Sequence, residues 1–277
     1  MTTALVLAIV KIRMTKAFST IWQNRDLIYR MTIKDINDRY AGSNLGLLWS
    51  MIGPLFLVAI YSLTFTFIFQ VKIGTGKPVE YALYAICALV PWIVMQEALV
   101  KTTSSLLSNT NLVKQVIFPI DILPVNAVFN SFPTIIFGFT LYIIIFAIFL
   151  THQLSLMFLF LPVVIFFQVL FSIGIGWLLA ALGVYFRDLR EIINVSLLVF
   201  MFITPVLYLE SMLPKALIWP IKFNPFTHLI NMYRDIFFYG QIQHPWSFII
   251  FGLLAILTFY LGYYFFQKVK SFFANVL

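Results

Sequence analysis

The sequence predicts an all-α protein that crosses a membrane several times. Of its 277 residues, 62% are hydrophobic and only 10% are charged, a balance that soluble domains do not show. A helix needs about 20 apolar residues to cross the roughly 30 Å hydrocarbon core. Six apolar runs reach or come close to this length, the fifth being barely long enough, so spans are predicted at about 45–70, 81–100, 125–150, 156–185, 192–209 and 246–267. Together, residues 45–277 form the predicted transmembrane domain.

The segment before the first span, residues 1–44, is predicted to be an N-terminal cytoplasmic segment. Within it, residues 17–40 have the periodicity of an amphipathic helix. Aromatic residues such as Trp22 and Tyr29 fall on one face, and charged residues such as Lys34 fall on the other. A helix of this kind lies in the membrane interface rather than across the bilayer.

Leu27 and Met31 depart from this pattern, because both lie on the predicted polar face of helix 17–40. Residues four apart are neighbours on a helix surface, so the two side chains form one apolar spot. Two interpretations are open. The residues are either tolerated surface side chains or a docking spot for a cytoplasmic partner.

The positions of lysine and arginine predict the orientation. An even number of spans places both termini on one side of the membrane. Of the 18 basic residues, 13 fall on that side and five on the other; the 13 are those of residues 1–40 together with Lys101, Lys114, Arg187, Arg190, Lys268 and Lys270. The positive-inside rule then puts both termini in the cytoplasm. This distribution also explains the net charge of +8 without a nucleic-acid partner.

Two polar segments between spans would then face the cytosol. Residues 101–124 are too polar and too interrupted by proline to span, and residues 186–191 hold four charges. Short loops of this kind can transmit rigid-body motion from a partner into the spans. For 186–191, a plain topology signal with counter-charges is the alternative.

On the opposite side, residues of about 214–240 are apolar, but their helical stretches are too short to cross the membrane. Asn224 can cap a helix, and Pro225 suits the first helical position because no N–H is needed there. Gly240 suits the end of that helix. We therefore predict two short re-entrant helices before the last span, with their backbone ends shielded by protein or lining a water-filled space.

The sequence has no motif for a reaction of its own. It contains no HExxH, CxxC or Cys/His cluster with metal-ligand spacing, so no catalytic residue, metal site or cofactor is predicted in this chain. The GTGK sequence at 74–77 lacks the flanking residues of a phosphate-binding loop, and ATP hydrolysis is expected in a partner subunit. A membrane-embedded lipid or sugar transferase is the second interpretation; it would need acids or histidines clustered at one membrane face.

Five segments carry a resemblance to a known family. They are RYAGSNLGLLWSMIGP at 39–54, FPIDILPVN at 118–126, RDLREI at 187–192, TPVLY at 204–208 and NPFTHLINMYRD at 224–235. In this order they resemble the permeases of type-2 ABC exporters, the O-antigen and capsular polysaccharide export family. The resemblance covers roughly residues 18–240, with one departure at Asn231, where an acid is common.

The resemblance implies a homodimeric permease that works with two ATP-binding cassette subunits, which bind the ATP and Mg. It implies export of a polyprenyl-diphosphate-linked polysaccharide across the bacterial cytoplasmic (inner) membrane. O-antigen is the first expectation, and capsular polysaccharide and teichoic acid are the alternatives. Membrane lipids are further partners, and nucleic acid is not.

In that family the interface helix and the first cytosolic loop contact the ATPases. The residues predicted here to couple ATP hydrolysis to transport are Leu27, Met31, Lys114 and Asp121 from these two elements, with Arg187, Asp188 and Arg190 from the charged turn at 186–191. Charge-assisted contacts at such an interface can contribute about 1.5–3 kcal/mol each.

Three residues are predicted to receive the substrate. Arg39, Tyr40 and Trp49 fall at the cytosolic headgroup level, where a lipid diphosphate would lie. Arginine suits bidentate contact with phosphate. For Arg39 and Tyr40, simple anchoring in the interface is an equal alternative.

Aromatic residues are predicted to line the translocation path. Tyr61, Phe65 and Phe69 lie four apart on one face of the first span, and their rings can stack on sugars. At the outer side, two short helix pairs meeting at a two-fold axis could close the exit. The residues assigned to this outer gate are Pro205, Tyr208, Asn224, Pro225, Tyr233 and Arg234, with the two tyrosines and the arginine at its rim.

Overall fold

A computed structural model of the chain describes residues 16–71, 73, 78–114, 118–149, 155–209, 212, 214, 216 and 218–276. These residues are mainly helical, and none of them is in a β-strand. The all-α prediction is therefore confirmed for this part of the chain. Residues 1–15, the GTGK turn at 74–77 and part of the predicted outer helix pair lie outside the described residues.

The α-helices follow one another with short connections. In chain order they are α1 (Arg25–Tyr40), α2 (Trp49–Leu63), α3 (Pro78–Ser104), α4 (Thr110–Val113), α5 (Ile122–Phe129), α6 (Phe132–Phe149), α7 (Leu161–Tyr185), α8 (Leu189–Ile203), α9 (Ile218–Phe223), α10 (Pro225–Arg234), α11 (Pro245–Val269) and α12 (Phe273–Val276). Residues 16–23 are also helical and lead into α1. Five-residue π-helical turns extend α2 and α10.

Four predicted spans are confirmed as helical segments long and apolar enough to cross a membrane. The first and fifth predicted spans correspond to α2 and α8, which have 15 residues each. At 1.5 Å per residue such a helix is about 22 Å long, less than the roughly 30 Å core. The count of six spans stays a prediction. The four long segments are Val79–Ser104, Ile122–Ile148, Leu156–Tyr185 and Pro245–Phe272.

The helices α3, α7, α10 and α11 form a closely packed unit. Most residues of α3 between Tyr81 and Leu99 are buried, so this helix lies at the centre. Helices α7 and α11 touch backbone to backbone: a Cβ added at Gly262 would lie 1.9 Å from the carbonyl oxygen of Gly174. Small residues permit this approach, and any side chain at Gly262 would force the two helices apart.

The helices α2 and α8, in contrast, present long apolar faces to the outside. On α2, Phe56 and Ile60 are exposed, and on α8 Val195 and Phe202 are exposed. Exposed apolar surface of this extent marks a contact with lipid or with another protein. The monomer alone therefore leaves both helices partly uncovered.

Helix α1 carries apolar side chains on two sides. Ile28 is buried, and Leu27 and Met31 pack partly against the core, whereas Tyr29 is exposed, as is Trp22 in the helical residues just before α1. The prediction that Leu27 and Met31 lie on a polar outer face is therefore wrong, because α1 packs on its own protein along this side. The exposed side keeps the aromatic residues expected of an interfacial helix.

The helical residues 16–23 rest on α11. The rings of Phe18 and Phe259 have centroids 4.9 Å apart, and Thr20 Oγ1 lies 3.3 Å from the Tyr263 hydroxyl. Further along, α1 is hydrogen-bonded to α5. The N-terminal helix thus bridges the last long helix and the middle of the chain.

The predicted outer pair corresponds to α9 and α10. The Asn224 Oδ1 accepts a hydrogen bond from the Phe226 N–H at 3.0 Å, and Pro225 occupies the start of α10. Gly240, with a φ of 63°, ends the following π turn in the left-handed conformation. These capping and termination predictions are confirmed. Helix α10 is buried along its length after Pro225, and the re-entrant placement in a membrane stays a prediction.

Candidate functional site

A cavity of about 670 Å³ lies where α1, α2, α3 and α8 meet, close to the end of α3 that carries Lys101. Apolar residues form part of its wall, but the other part is unusually polar for a chain that is only 10% charged. The charged and amide residues that line it are Asp35, Arg39, Gln96, Glu97, Lys101, Asn130, Arg190 and Asn194. Five charged groups thus share one cavity.

Glu97 organises the basic residues on one side of this cavity. Its carboxylate pairs with Arg39 from α1, and Lys101 Nζ lies 2.9 Å from it. Lys101 follows Glu97 by four residues, so both project from the same face of α3. Lys101 also donates to the backbone carbonyl oxygen of Asn130 at 3.2 Å. An ionisable residue within a span should contact protein or water, and Glu97 contacts partners from two helices.

Asp35 fixes the other side of the cavity. The side-chain amides of Asn126 and Asn130 donate to its carboxylate at 2.6 and 2.9 Å. One turn earlier, Thr32 Oγ1 donates to Asn126 Oδ1 at 2.7 Å. Bonds to a charged acceptor are stronger than those between neutral groups. This network therefore holds α1 against α5 and its connection to α6.

The cavity has an excess of positive charge. Arg39, Lys101 and Arg190 oppose Asp35 and Glu97, which leaves a formal charge of +1. Both carboxylates already have partners in the chain, whereas Arg190 makes no ion pair within the described residues. Guanidinium groups match the geometry of phosphate oxygens. The chemistry of the cavity thus suits an anionic group with several acceptor oxygens.

The structure brings together residues that the sequence assigned to different tasks. Arg39 was assigned to substrate and Arg190 to the ATPase, yet both line this cavity. Trp49 is exposed at the start of α2 and is not part of the lining. The side chain of Tyr40 lies outside the described residues.

Six of the seven residues assigned to coupling remain available to a partner at least in part, and one of them is Arg190, which is exposed although it lines the cavity. Arg187 and Asp188 are exposed in the turn before α8, and Lys114 is exposed after α4. Leu27 and Met31 pack partly against the chain's own core, so only the remainder of each side chain is accessible. Their coupling role stays a prediction.

Asp121 is different, because its side chain is buried. Its carboxylate accepts hydrogen bonds from Gln267 Nε2 at 2.5 Å and from Lys270 Nζ at 2.8 Å. Its backbone carbonyl accepts from Trp177 Nε1 at 2.9 Å. The Asp121 carboxylate is therefore engaged within the chain itself, and its assigned role in coupling stays a prediction. A buried charge needs compensation, and here it ties the start of α5 to the end of α11.

The predicted path residues are mostly engaged in packing. Tyr61 and Phe65 pack against the core, and the Phe65 ring stacks on Tyr81 of α3 with centroids 5.5 Å apart. Phe65 and Phe69 are 5.1 Å apart, and Phe69 is exposed. The cluster attaches the end of α2 to α3. A contact with sugar stays a prediction, and Phe69 has the most surface for it.

The prediction that Tyr233 and Arg234 lie at an exposed rim is wrong. Their exposed fractions are 0% and 2%, because α10 is surrounded by α3, α7 and α11 instead of lying at the surface. The Tyr233 hydroxyl donates to Gln168 Oε1 at 2.5 Å. Pro205 is also buried, while Tyr208 is half-buried and donates to the Ile203 carbonyl at 2.9 Å.

Arg234 is a buried cation held mainly by an aromatic ring. Its guanidinium lies 3.9 Å from the ring centroid of Tyr84, and its NH2 group donates to the Val206 carbonyl at 2.9 Å. Its Nε atom has no hydrogen-bond partner among the described residues. Cation–π contacts strengthen when the pair is desolvated. Arg234 thus links α10 to α3 and to the chain after α8.

Sequence reasoning missed the amide network at Asp35. Asn126 ends the segment FPIDILPVN, and Asn130 follows it by four residues. Two amides on one face of a short apolar helix were the available signal, because buried amides require partners. Nothing in the sequence named Asp35 as that partner.

Comparison with known proteins gives a consistent result. The family profile described as "ABC-2 type transporter" matches residues 26–238. An O-antigen export system permease protein RfbA of Klebsiella pneumoniae is 30% identical over 254 residues, covering 91% of this chain and 95% of that protein. The protein of the same name from Myxococcus xanthus is 27% identical, covering 81% and 85%. The capsule polysaccharide export inner-membrane protein CtrC of Neisseria meningitidis is 21% identical, covering 83% and 87%.

Proposed function

Because this chain belongs to the ABC-2 type transporter family, we propose that it is the permease subunit of an exporter for lipid-linked O-antigen polysaccharide. The chain is a multi-pass membrane protein, and the proposed site of action is the bacterial inner membrane. The two Klebsiella pneumoniae relatives named for O-antigen export match over nine-tenths of its length. Membership of a transporter family also favours a permease over a membrane-embedded transferase.

The observation that carries the proposal is the cationic cavity between α1, α3 and α8. A polyprenyl-diphosphate-linked polysaccharide has its charge at the diphosphate, which is the group that Arg39, Lys101 and Arg190 can contact. In the proposed topology this cavity lies at the cytosolic headgroup level, where a lipid-linked substrate is presented. Arg39 is the residue assigned to first contact with that diphosphate.

The proposed topology has six spans with both termini in the cytoplasm. It follows the predicted boundaries, with an N-terminal segment to residue 44 and the transmembrane domain after it. The shorter helices α2 and α8 become spans when their flanking residues are included. The outer pair, α9 and α10, then returns to the same side. The asymmetry of lysine and arginine supports this orientation.

The proposed assembly contains two copies of this chain and two ATP-binding subunits, which bind ATP and Mg. The exposed apolar faces of α2 and α8 suit contact with a second copy. The exposed Arg187, Asp188 and Lys114 suit contact with the ATPases. Purification of the complex should give equal copy numbers, measured as the mass of the intact assembly. A lone permease chain with full transport activity contradicts this assembly.

Capsular polysaccharide is the second candidate substrate. Relatives named for export of capsule polysaccharide and transport of polysialic acid match most of the chain. Their identity of 19–21% is lower than the 27–30% of the relatives named for O-antigen export. This difference favours O-antigen. The names of these relatives give no support to teichoic acid.

The direct test is transport by the purified complex in proteoliposomes. Wild type should move a polyprenyl-diphosphate-linked O-polysaccharide when ATP is supplied. Arg39→Ala should reduce the rate roughly tenfold or more, because about 1.5–3 kcal/mol of charge-assisted bonding is lost. Arg39→Lys keeps the positive charge but loses the bidentate guanidinium contact with phosphate, so its transport rate should lie between those of wild type and Arg39→Ala.

Arg30→Ala is the matched control. Arg30 is an exposed arginine of the same helix that does not line the cavity, so its removal should leave transport unchanged. Equal transport by wild type and Arg39→Lys, with Arg39→Ala lowering only the amount of protein, assigns Arg39 to interface anchoring. If wild type transports no lipid-linked polysaccharide when ATP is supplied, the proposed function is wrong.

A further inference from the structure

A second concavity adjoins the cationic cavity and has the opposite character. It is a groove of about 400 Å³ between α1 and the α5–α6 connection. Its wall is almost entirely apolar, with Ile28, Ile33 and Ile36 on one side and Phe129, Phe132 and Ile136 on the other. Among the described residues, Arg25 is the one charged residue that lines it.

The two concavities share part of their walls. Ile36 and Pro133 line both of them. Asp35 and Asn130, which line the cavity, are joined by a hydrogen bond that holds α1 to the α5–α6 connection. An amphiphile with its phosphate in the cavity therefore has an apolar groove directly beside it. The groove and the cavity form one site with a polar and an apolar part.

We propose that the polyprenyl chain of the substrate lies in this groove while its diphosphate lies in the cationic cavity. The inference rests on the proposed function and adds a place for the lipid part of the substrate. Burial of a hydrocarbon chain against apolar side chains is favourable in proportion to the area covered. The groove thus contributes to affinity, and the permease holds the lipid carrier itself.

The competing occupant is an ordinary anionic phospholipid. Its phosphate would need a cation at the groove's own mouth, where Arg25 is the candidate. Arg25 already lies 5.0 Å from the Trp22 ring centroid and donates to the Trp22 carbonyl at 3.2 Å. It also stands 11 residues from Ile36, about 16 Å along the helix. Continuity with the three cations of the cavity favours the polyprenyl diphosphate.

The test places a photoreactive amino acid at Ile136 and, separately, at Ile148. Both residues are isoleucines of α6, with exposed fractions of 62% and 68%, so neither change disturbs the core. The whole complex in nanodiscs is irradiated with tritiated polyprenyl diphosphate. The Ile136 position should be labelled, and excess unlabelled polyprenyl diphosphate should remove the label. The Ile148 position should give weak labelling that does not compete.

The competitor and the variants separate the two occupants. Dioleoylphosphatidylglycerol should not displace the label at Ile136. Arg39→Ala should weaken the label, and Arg25→Ala should weaken it less than Arg39→Ala does. Displacement by phosphatidylglycerol, or loss of the label in Arg25→Ala alone, assigns the groove to phospholipid and overturns the inference.

A substitution that fills the groove gives a second readout. Ile136→Trp should raise the substrate concentration for half-maximal transport roughly tenfold, since part of the chain loses its buried surface. Ile148→Trp should leave it unchanged. If Ile136→Trp transports normally and the photoreactive residue at position 136 is not labelled, the groove does not bind the polyprenyl chain. The proposed function then still stands. If unlabelled polyprenyl diphosphate removes the label at Ile136 but wild type does not transport, the groove binds the lipid and the proposed function is wrong.

Discussion

Two regions of the molecule are held in place in different ways. One is the packed unit of α3, α7, α10 and α11, and the other comprises the outlying helices α1, α2 and α8. In the packed unit, backbones touch at Gly174 and Gly262, and the Phe226 ring of α10 lies 5.5 Å from Trp92 and 6.1 Å from Phe171. The outlying helices expose large apolar side chains, and polar bonds join α1 to α3 and to α5.

This difference separates stability from movement. Tightly packed helices resist gradual deformation and move as a body. Partly exposed ion pairs contribute only about 0–1 kcal/mol each, so a helix held by them can shift at low energy. We therefore expect the packed unit to determine whether the protein folds, and the outlying helices to determine how it handles substrate and responds to a partner.

The largest effect is expected from Gly262→Leu, which attacks the packed unit. Because a Cβ there would lie 1.9 Å from the Gly174 carbonyl oxygen, α7 and α11 must separate, and stability should fall by more than about 3 kcal/mol. The control is Gly53→Leu on α2, where nothing lies within 4 Å of the added Cβ. Thermal unfolding in detergent measures both. An equal loss of stability in Gly262→Leu and Gly53→Leu would contradict the difference drawn between the packed unit and the outlying helices.

Two aspartates give the next contrast. Asp121→Ala removes a buried carboxylate and leaves Lys270 and Gln267 without their acceptor, so about 1–3 kcal/mol of stability should be lost. Asp188→Ala removes an exposed carboxylate and should change stability by less than about 0.5 kcal/mol. The measurement is again the unfolding midpoint. A larger loss of stability in Asp188→Ala than in Asp121→Ala would contradict the structural role of Asp121.

Asn224→Ala tests the cap of α10 and should cost about 1 kcal/mol. It removes the acceptor for the Phe226 N–H and the donor to Thr204 Oγ1 at 2.8 Å. Asn224→Asp keeps the acceptor and should retain most of the stability. If both variants unfold alike, the bond to Thr204 rather than the cap is the contribution that matters.

The smallest effect on stability is expected from Arg187→Ala/Asp188→Ala, within about 0.5 kcal/mol, since both residues are exposed. ATP-dependent export should nevertheless fall, because these residues are proposed to contact the ATPase. Arg187→Lys/Asp188→Glu preserves both charges and should keep most of the export. Normal export by the Arg187→Ala/Asp188→Ala variant would mean that the turn at residues 186–191 acts only as a topology signal.

The fold was largely predictable because hydrophobic run length and terminal capping are local properties. The long spans, the Asn224 cap and the Gly240 terminus all depend on neighbouring residues alone. The site was less predictable because it is assembled from residues distant in sequence. Glu97 and Lys101 are four apart and could be paired by spacing, but Arg39 reaches them only after α1 has docked.

The errors also have a physical reason. Burial of Tyr233 and Arg234 depends on how α10 packs between other helices, and an apolar helix too short to span gives no sign of which surface it meets. Leu27 and Met31 looked like outward-facing residues because one amphipathic face was already assigned. A helix that contacts membrane on one side and protein on the other carries two apolar faces, and a single periodicity cannot describe it.

The attachment of the N-terminal helix to α11 has a consequence for how the chain is made. Thr20 meets Tyr263, which is 243 positions later in the chain. Ribosomes add roughly 5–20 residues per second, so the first helix waits on the order of 10–50 s for the surface on which it rests. During translation it must be kept from aggregation by another surface, and its exposed Trp22 and Tyr29 equip it to rest on the lipid headgroups until the last helix is inserted.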